Sequence, residues 1–201
     1  VDARRGLGSA WPVPEPLVGV IGVRAMLAAF SSLGLDARRI QGEVGLADPD
    51  RLLPARTLYR MWELAEGLWG RPALGLEAGS RVAFGAYEVL DYLLSSAATL
   101  REGISGFAAC FALATRTARY EVDEGGELVR CEMQWRIPPR GVMFQLRDYS
   151  LSAVARRVKE AGGGTPARVE IAGPPLATPE HYARVLGAPT VLRAEKNALL
   201  F

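Results

Sequence analysis

Between Leu113 and Thr117 the spacing of apolar residues changes from one in every three or four positions to one in every two. Upstream, Leu58, Met61, Trp62, Ala65, Leu68 and Trp69 recur at the helical period and share one helix face. Downstream, "TARYEVD" (117–123) alternates, with Ala118, Tyr120 and Val122 on one side. "LVRCEMQWR" (128–136) alternates too, setting Val129, Cys131, Met133 and Trp135 against Arg130, Glu132, Gln134 and Arg136. Side chains repeat every 3.6 residues on a helix and every two on a strand, so a chain with both patterns in separate blocks packs helices on a sheet. The expected class is α+β. A helical half, about 17–113, packs on a small, mostly antiparallel sheet with crossing helices, about 117–201.

Caps and breakers divide these blocks. A helix is predicted from Leu17 to Leu33, stopped by Gly34 and apolar nearly all round, hence buried on several sides. Asp36 caps a short helix through Val44. Pro54 opens a third helix, which ends at Gly70. "PALGLEAGSRV" (72–82) reads as a short segment leading into a helix from about Gly85 to Leu94. Thr99 and Glu102 form the S/T-x-x-E capping box, which starts a helix over Leu100–Leu113.

In the second half, "EGGE" (124–127) joins the two alternating strands into a hairpin, closed by Pro138-Pro139. A long helix, about Val142 to Ala161, ends in three glycines. "ARVEIA" (167–172) is a strand, and "TPEHYARVLG" (178–187) is a helix with Thr178 as cap and Pro179 in its first turn. "TVLRA" (190–194) and "ALLF" (198–201) are further short strands, the last read as an edge. Residues 1–16 carry three prolines and no periodicity, and are expected to form a flexible leader.

Charge narrows the partners. The 201 residues hold 24 basic and 22 acidic side chains, net +2, with no clustered basic excess of the kind a nucleic-acid surface needs. All basic residues but Lys159 and Lys196 are Arg, a ratio that GC-rich coding explains more cheaply than carboxylate recognition does. Cys110 and Cys131 are too few and too far apart for a disulfide scaffold or a zinc site, and read as buried thiols of a reducing cytoplasm. "LVGVIGVRAMLAAF" (17–30) is interrupted by Arg24 and is shorter than the roughly 20 residues a membrane span needs. The expectation is a cytoplasmic protein with no membrane partner.

Catalytic machinery is not visible. His181 is the only histidine, and no G-x-S-x-G elbow accompanies it. One His and two distant Cys cannot assemble a metal site. No G-x-G-x-x-G or G-x-x-x-x-G-K-[ST] loop is present to cradle a nucleotide cofactor. The chain is therefore read as a non-enzyme without cofactor or metal.

Two long segments carry a family likeness. "GLEAGSRVAFGAYEVLDYLLSSAATLREGISGF" (75–107) is similar to a G-L-x-x-G…F-G-x-x-x-x-x-L…S-S-x-T-L-x-E pattern. "PARVEIAGPPLATPEHYARVLGAPTVLRAEKNALLF" (166–201) is similar to a P-x-x-V…P…Y…[FL]-G-x-P-V-x-F…N-x-L-x-F ending, with Leu186 and Leu192 where Phe is frequent and Thr190 where Val is. Both resemble the N-terminal sensor domain of AraC-type transcription regulators, in the arabinose-binding-domain-like subgroup. The resemblance implies a ligand-sensing domain for a small-molecule effector. It also implies a helix-turn-helix domain following Phe201 in the full protein, DNA contact through that domain alone, and a possible homodimer.

The expected ligand site lies where the buried face of the hairpin meets the long helix and the aromatic helices. Its candidates are Trp62, Tyr92, Met133, Trp135, Phe144 and Tyr149, with Arg147 for an anionic ligand. Each aromatic or Met residue also suits a plain core position, and Arg147 a solvated helix face. The alternative is a ligand-free dimerisation or protein-interaction module that uses helix 17–33 or edge strand 198–201.

Overall fold

A computed structural model describes residues 14–123, 125–137 and 141–201. The expectations for residues 1–13, Glu124 and Pro138-Pro139 lie outside the described residues. The first described residues are held in place: the Pro16 carbonyl accepts from Ala55 N–H at 2.9 Å, and the Glu15 carboxylate bonds both the backbone N–H and the guanidinium of Arg56.

The helical half comprises α1 (Val20–Ser32), α2 (Ala37–Glu43), α3 (Ala55–Trp69), α4 (Leu74–Arg81), α5 (Val89–Ser96) and α6 (Leu100–Cys110), continued by a 3₁₀ turn at Phe111–Leu113. Short strands β1 (Leu17–Val18) and β2 (Leu53–Pro54) pair antiparallel at its edge, where a helix start was expected. The second half comprises β3 (Ala118–Asp123), β4 (Arg130–Trp135), α7 (Met143–Val158), β5 (Arg168–Ala172), α8 (Pro179–Leu186), β6 (Thr190–Ala194) and β7 (Asn197–Leu200). The class is α+β, as the change of period predicts.

Local chemistry sets the helix starts. Thr99 Oγ1 accepts from Glu102 N–H and the Glu102 carboxylate accepts from Thr99 N–H, both at 3.2 Å, so the capping box is complete. Asp36 caps α2 and Thr178 caps α8 in the same one-sided way.

Two expectations need correction. The segment 72–82 is itself a helix, α4, and the helix expected from Gly85 begins only at Val89. Two glycines lower the helix propensity of α4, but they also let its backbone lie directly on α7: a Cβ on Gly75 would meet the Gln145 carbonyl, and one on Gly79 the Tyr149 carbonyl. Tertiary packing outweighs propensity here. The other correction concerns the last strand. The sheet order is β3-β4-β7-β5-β6, so β7 is central and all four of its residues are buried.

The sheet has two unlike faces. Leu199 lies opposite Cys131 on one side and Val169 on the other, forming an apolar row toward the core. Ala198 lies opposite Glu132 and Glu170, and this outer face carries the Arg130–Glu170 pair at 2.7 Å and the Lys196–Glu132 pair at 3.0 Å. Helix α7 covers the apolar face. Tyr120 on β3 shares a 2.8 Å hydrogen bond with Ser150 on α7, and 13 of the helix's 16 residues are buried.

These placements bear on the alternative reading. The apolar face of α1 is turned inward, with seven of its 13 residues buried, and β7 is not an edge.

Candidate functional site

Where α1, α7 and the β3–β4 hairpin meet lies a partly open cavity of about 40 Å³. At roughly 10–15 Å³ for each water, that is room for a few water molecules. Helix α1 contributes Gly22 and Met26, and α3 contributes Leu58. The stretch from Phe111 to Ala118 contributes one wall, β4 contributes Met133 and Trp135, and α7 contributes Leu146, Tyr149 and Ser150. Thr115, Trp135 and Ser150 are the half-buried members; the rest are buried. Gly22 lets α1 approach this wall, because a Cβ there would lie 2.5 Å from the Ala114 carbonyl oxygen.

Of the seven residues expected at a ligand site, Met133, Trp135 and Tyr149 line this cavity. Trp62 stands behind it, fully buried. It lies edge-on to Tyr149 at 5.3 Å and to Phe30 at 4.9 Å, and its indole N–H points at Met26 Sδ, 3.2 Å away. Tyr92 is 67% exposed on α5 and does not line the cavity.

Phe144 and Arg147 sit on the opposite face of α7. A residue turns about 100° around a helix, so positions 144, 147 and 148 share one side and 146, 149 and 150 the other. Arg147 is neither solvated nor available to a ligand. It donates to Asp148 at 2.7 Å, to the carbonyls of Ala172 and Pro174 at 2.6 and 3.1 Å, and to Tyr182 Oη at 3.3 Å. The Tyr182 hydroxyl in turn donates to Asp148 at 2.5 Å. The ring of Phe144 lies 5.3 Å from the guanidinium. This buried cluster ties α7 to β5 and α8.

The spacing arguments missed Tyr87, Phe111 and the hydroxyl residues. Ser150 was legible as the neighbour of Tyr149 on the same face as Leu146. Tyr87 lies in a non-periodic turn with nothing in the local pattern to mark it. That turn is held by Asp91, whose Oδ2 accepts from the Gly85 and Tyr87 N–H groups at 2.8 and 2.9 Å. Asp91 Oδ1 faces Arg157 Nε of α7 at 2.8 Å, without the alignment of a hydrogen bond. The Arg157 guanidinium also lies 4.0 Å from the Tyr87 ring centre. Helix α7 therefore lines the cavity with Leu146, Tyr149 and Ser150 and, through Arg157, packs against Tyr87, which lines it too.

The hydroxyls around the cavity pair among themselves. Tyr87 bonds Tyr149 at 3.2 Å, and Thr115 bonds Thr117 at 2.9 Å. Burial raises the phenol pKa values of Tyr87, Tyr120 and Tyr149 and pushes the Cys131 thiol up to about 12, so all four groups are neutral near pH 7. His181 bonds Glu77 at 2.7 Å, and neither residue lines the cavity. Among the described residues no group of three His, Cys, Asp or Glu could hold a metal ion, and no helix is long and apolar enough to cross a membrane. The arrangement can enclose a neutral molecule; it offers no base beside a nucleophile.

Comparison with known proteins places this geometry in context. The family model described as the arabinose-binding domain of AraC transcription regulators, N-terminal, matches residues 27–201. Among solved structures the chain is similar to the transcriptional regulator CdpR from Pseudomonas aeruginosa, with a TM-score of 0.58 at 16% identity over 82% of this chain and 52% of that one. The chain thus spans about half the length of that regulator, and at this identity the likeness concerns the fold alone. No curated protein matches the chain.

Proposed function

Because the chain belongs to the family of N-terminal arabinose-binding domains of AraC transcription regulators, we propose that this regulatory domain senses a small-molecule effector. The effector binds in the cavity between α1, α7 and the β3–β4 hairpin, and the bound state alters a helix-turn-helix DNA-binding domain joined to this one. The domain acts in the cytoplasm, without catalysis, and touches DNA only through its attached partner domain. The observation that carries this reading is the position of the cavity: it is lined from both halves of the fold, and α7 both lines it and packs, through Arg157, on its lining residue Tyr87. A ligand there repositions α7 by its differential affinity for two arrangements of that helix.

The test is a thermal-shift screen of metabolites, followed by titration of each hit. Trp135→Ala and Met133→Ala are expected to weaken binding at least tenfold while lowering the melting temperature less than Trp62→Ala does. Unchanged affinity in both variants sinks the site. In the full-length regulator, the effector should change the affinity for promoter DNA, measured by fluorescence anisotropy; an effector that binds without changing it sinks the sensor role.

A further inference from the structure

The family is described by a sugar, yet this cavity is poorly built for one. Its surface comes mostly from aliphatic, thioether and aromatic side chains, among them Met26, Leu58, Phe111, Met133 and Leu146. Among the described residues, no charged one lines it. The Arg157 guanidinium lines a smaller void that shares Tyr87, Phe111 and Ser150 with the cavity. Its charge is already matched by Asp91 at 2.8 Å, and its Nη1 donates to the Ala153 carbonyl. A carboxylate entering here would lose its hydration and meet no uncompensated cation.

A polyhydroxylated ligand fares no better. Every buried hydroxyl needs its own partner, and the wall hydroxyls are paired with one another or, for Ser150, with Tyr120. Each pair uses one of its two hydroxyl protons between its oxygens, and Tyr87–Tyr149 is the pair whose members both line the cavity and are both buried. The Tyr87–Tyr149 pair has two phenolic protons and uses one between its oxygens, and burial keeps both phenols protonated.

We infer that the cavity takes a small, uncharged, mainly apolar molecule, a single aromatic ring or a branched aliphatic of that size, with one hydrogen-bond acceptor set on the Tyr87–Tyr149 hydroxyl pair. This rests on the sensor reading above and narrows its ligand class. At about 40 Å³ the cavity is smaller than one ring. Met26 and Met133 on its walls, unbranched and with three side-chain torsions each, are the groups that yield on entry.

Acetophenone, benzoate and L-arabinose separate the classes: an uncharged ring with one acceptor, the same ring with a charge, and a sugar. Each is titrated into the protein and followed by tryptophan fluorescence and by melting temperature. Acetophenone should bind saturably at millimolar or lower concentration, with the other two at least tenfold weaker. Tyr149→Phe, which keeps the ring and removes the hydroxyl, should weaken acetophenone about fivefold. Ala118→Val, which fills part of the cavity, should weaken it at least tenfold.

Benzoate or L-arabinose binding as tightly as acetophenone and losing affinity in Ala118→Val would overturn the ligand class and leave the sensor reading standing. Acetophenone binding that neither substitution changes places it elsewhere and overturns the inference. Binding by none of the three overturns it as well. If the metabolite screen then also finds no ligand, the sensor reading falls with it.

Discussion

A methyl group on Gly79 of α4 would lie 2.3 Å from the carbonyl oxygen of Tyr149 on α7. Side chains do not approach backbone that closely, so Gly79→Ala must push the two helices apart and move a wall of the cavity. Overpacking of this kind costs about 1–3 kcal/mol. Gly67, in the exposed last part of α3, has nothing within 4 Å of the same position, and Gly67→Ala should stabilise by about 0.5–1 kcal/mol. Urea denaturation of the two variants should move the midpoint in opposite directions; movement in the same direction removes the close-contact argument.

Arg147 makes its bonds inside the protein, so its removal acts on stability. Arg147→Met leaves Asp148 buried with Tyr182 as its remaining partner and should cost about 3–5 kcal/mol. The double change Arg147→Met with Asp148→Leu removes both charges and should recover much of that loss. Denaturant midpoints for the single and double variants measure the difference, and a double variant less stable than the single one contradicts the assignment.

Acid should weaken the outer face of the sheet. The hydrogen bond from Arg130, aided by Arg168, holds the Glu170 carboxyl below its ordinary value. The unfolded chain therefore takes up this proton first as pH falls. The stabilisation is fully present above the unfolded glutamate pKa of about 4.3 and is lost as pH drops through the lower folded value. Glu170→Gln should lower stability by about 1 kcal/mol at pH 7, with a difference from the parent that shrinks toward pH 3. Melting temperatures between pH 7 and pH 3 test this.

The two thiols should react differently. Cys131 is buried, with its thiol pushed up to about 12, whereas Cys110 is half-buried. Since the thiolate is the reactive form, a thiol-specific chromogenic reagent at pH 8 should modify Cys110 first. Cys131 should wait for unfolding. Two equivalents reacting at one rate in the native protein would contradict the placement of Cys131.

Thr99→Ala removes half of the capping box and should cost about 1 kcal/mol. The melting temperature reads this directly, and an unchanged value would show that the α5–α6 corner holds without its cap.

The elements that were legible are those whose signal is local. The alternation of Val129, Cys131 and Met133 against Arg130 and Glu132 reports the two faces of one strand, and Thr99 with Glu102 reports one cap. Helix α4 was hidden because Gly75 and Gly79 speak against a helix locally, while the reason for them lies some 70 residues away on α7. The central place of β7 was hidden for a related reason, since strand order depends on which edges meet and not on what four residues contain. Its Asn197 does carry a trace of it: the side-chain oxygen accepts from Ala172 N–H at 2.8 Å, where the pairing of β5 slips by one residue. The candidate site was half legible. The separation of Arg147 from Tyr149 follows from helical spacing alone, but the contribution of Tyr87 requires knowing that Arg157 and Asp91 bring its turn to α7.

The position of β7 also sets the order in which the fold can be completed. The hairpin β3–β4 and the pair β5–β6 share no backbone pairing; each joins the sheet through the segment Asn197–Phe201, and the Arg130–Glu170 pair reaches across it only as side chains. During synthesis the helices and four strands leave the ribosome before the residues that join them. Until then Cys131 and Val169 lack the Leu199 row between them, and β4 and β5 present open edges. A nascent chain in that state is the form most exposed to chaperones and to mispairing, so a substitution in this segment should reduce the yield of folded protein more than its effect on the finished fold would suggest.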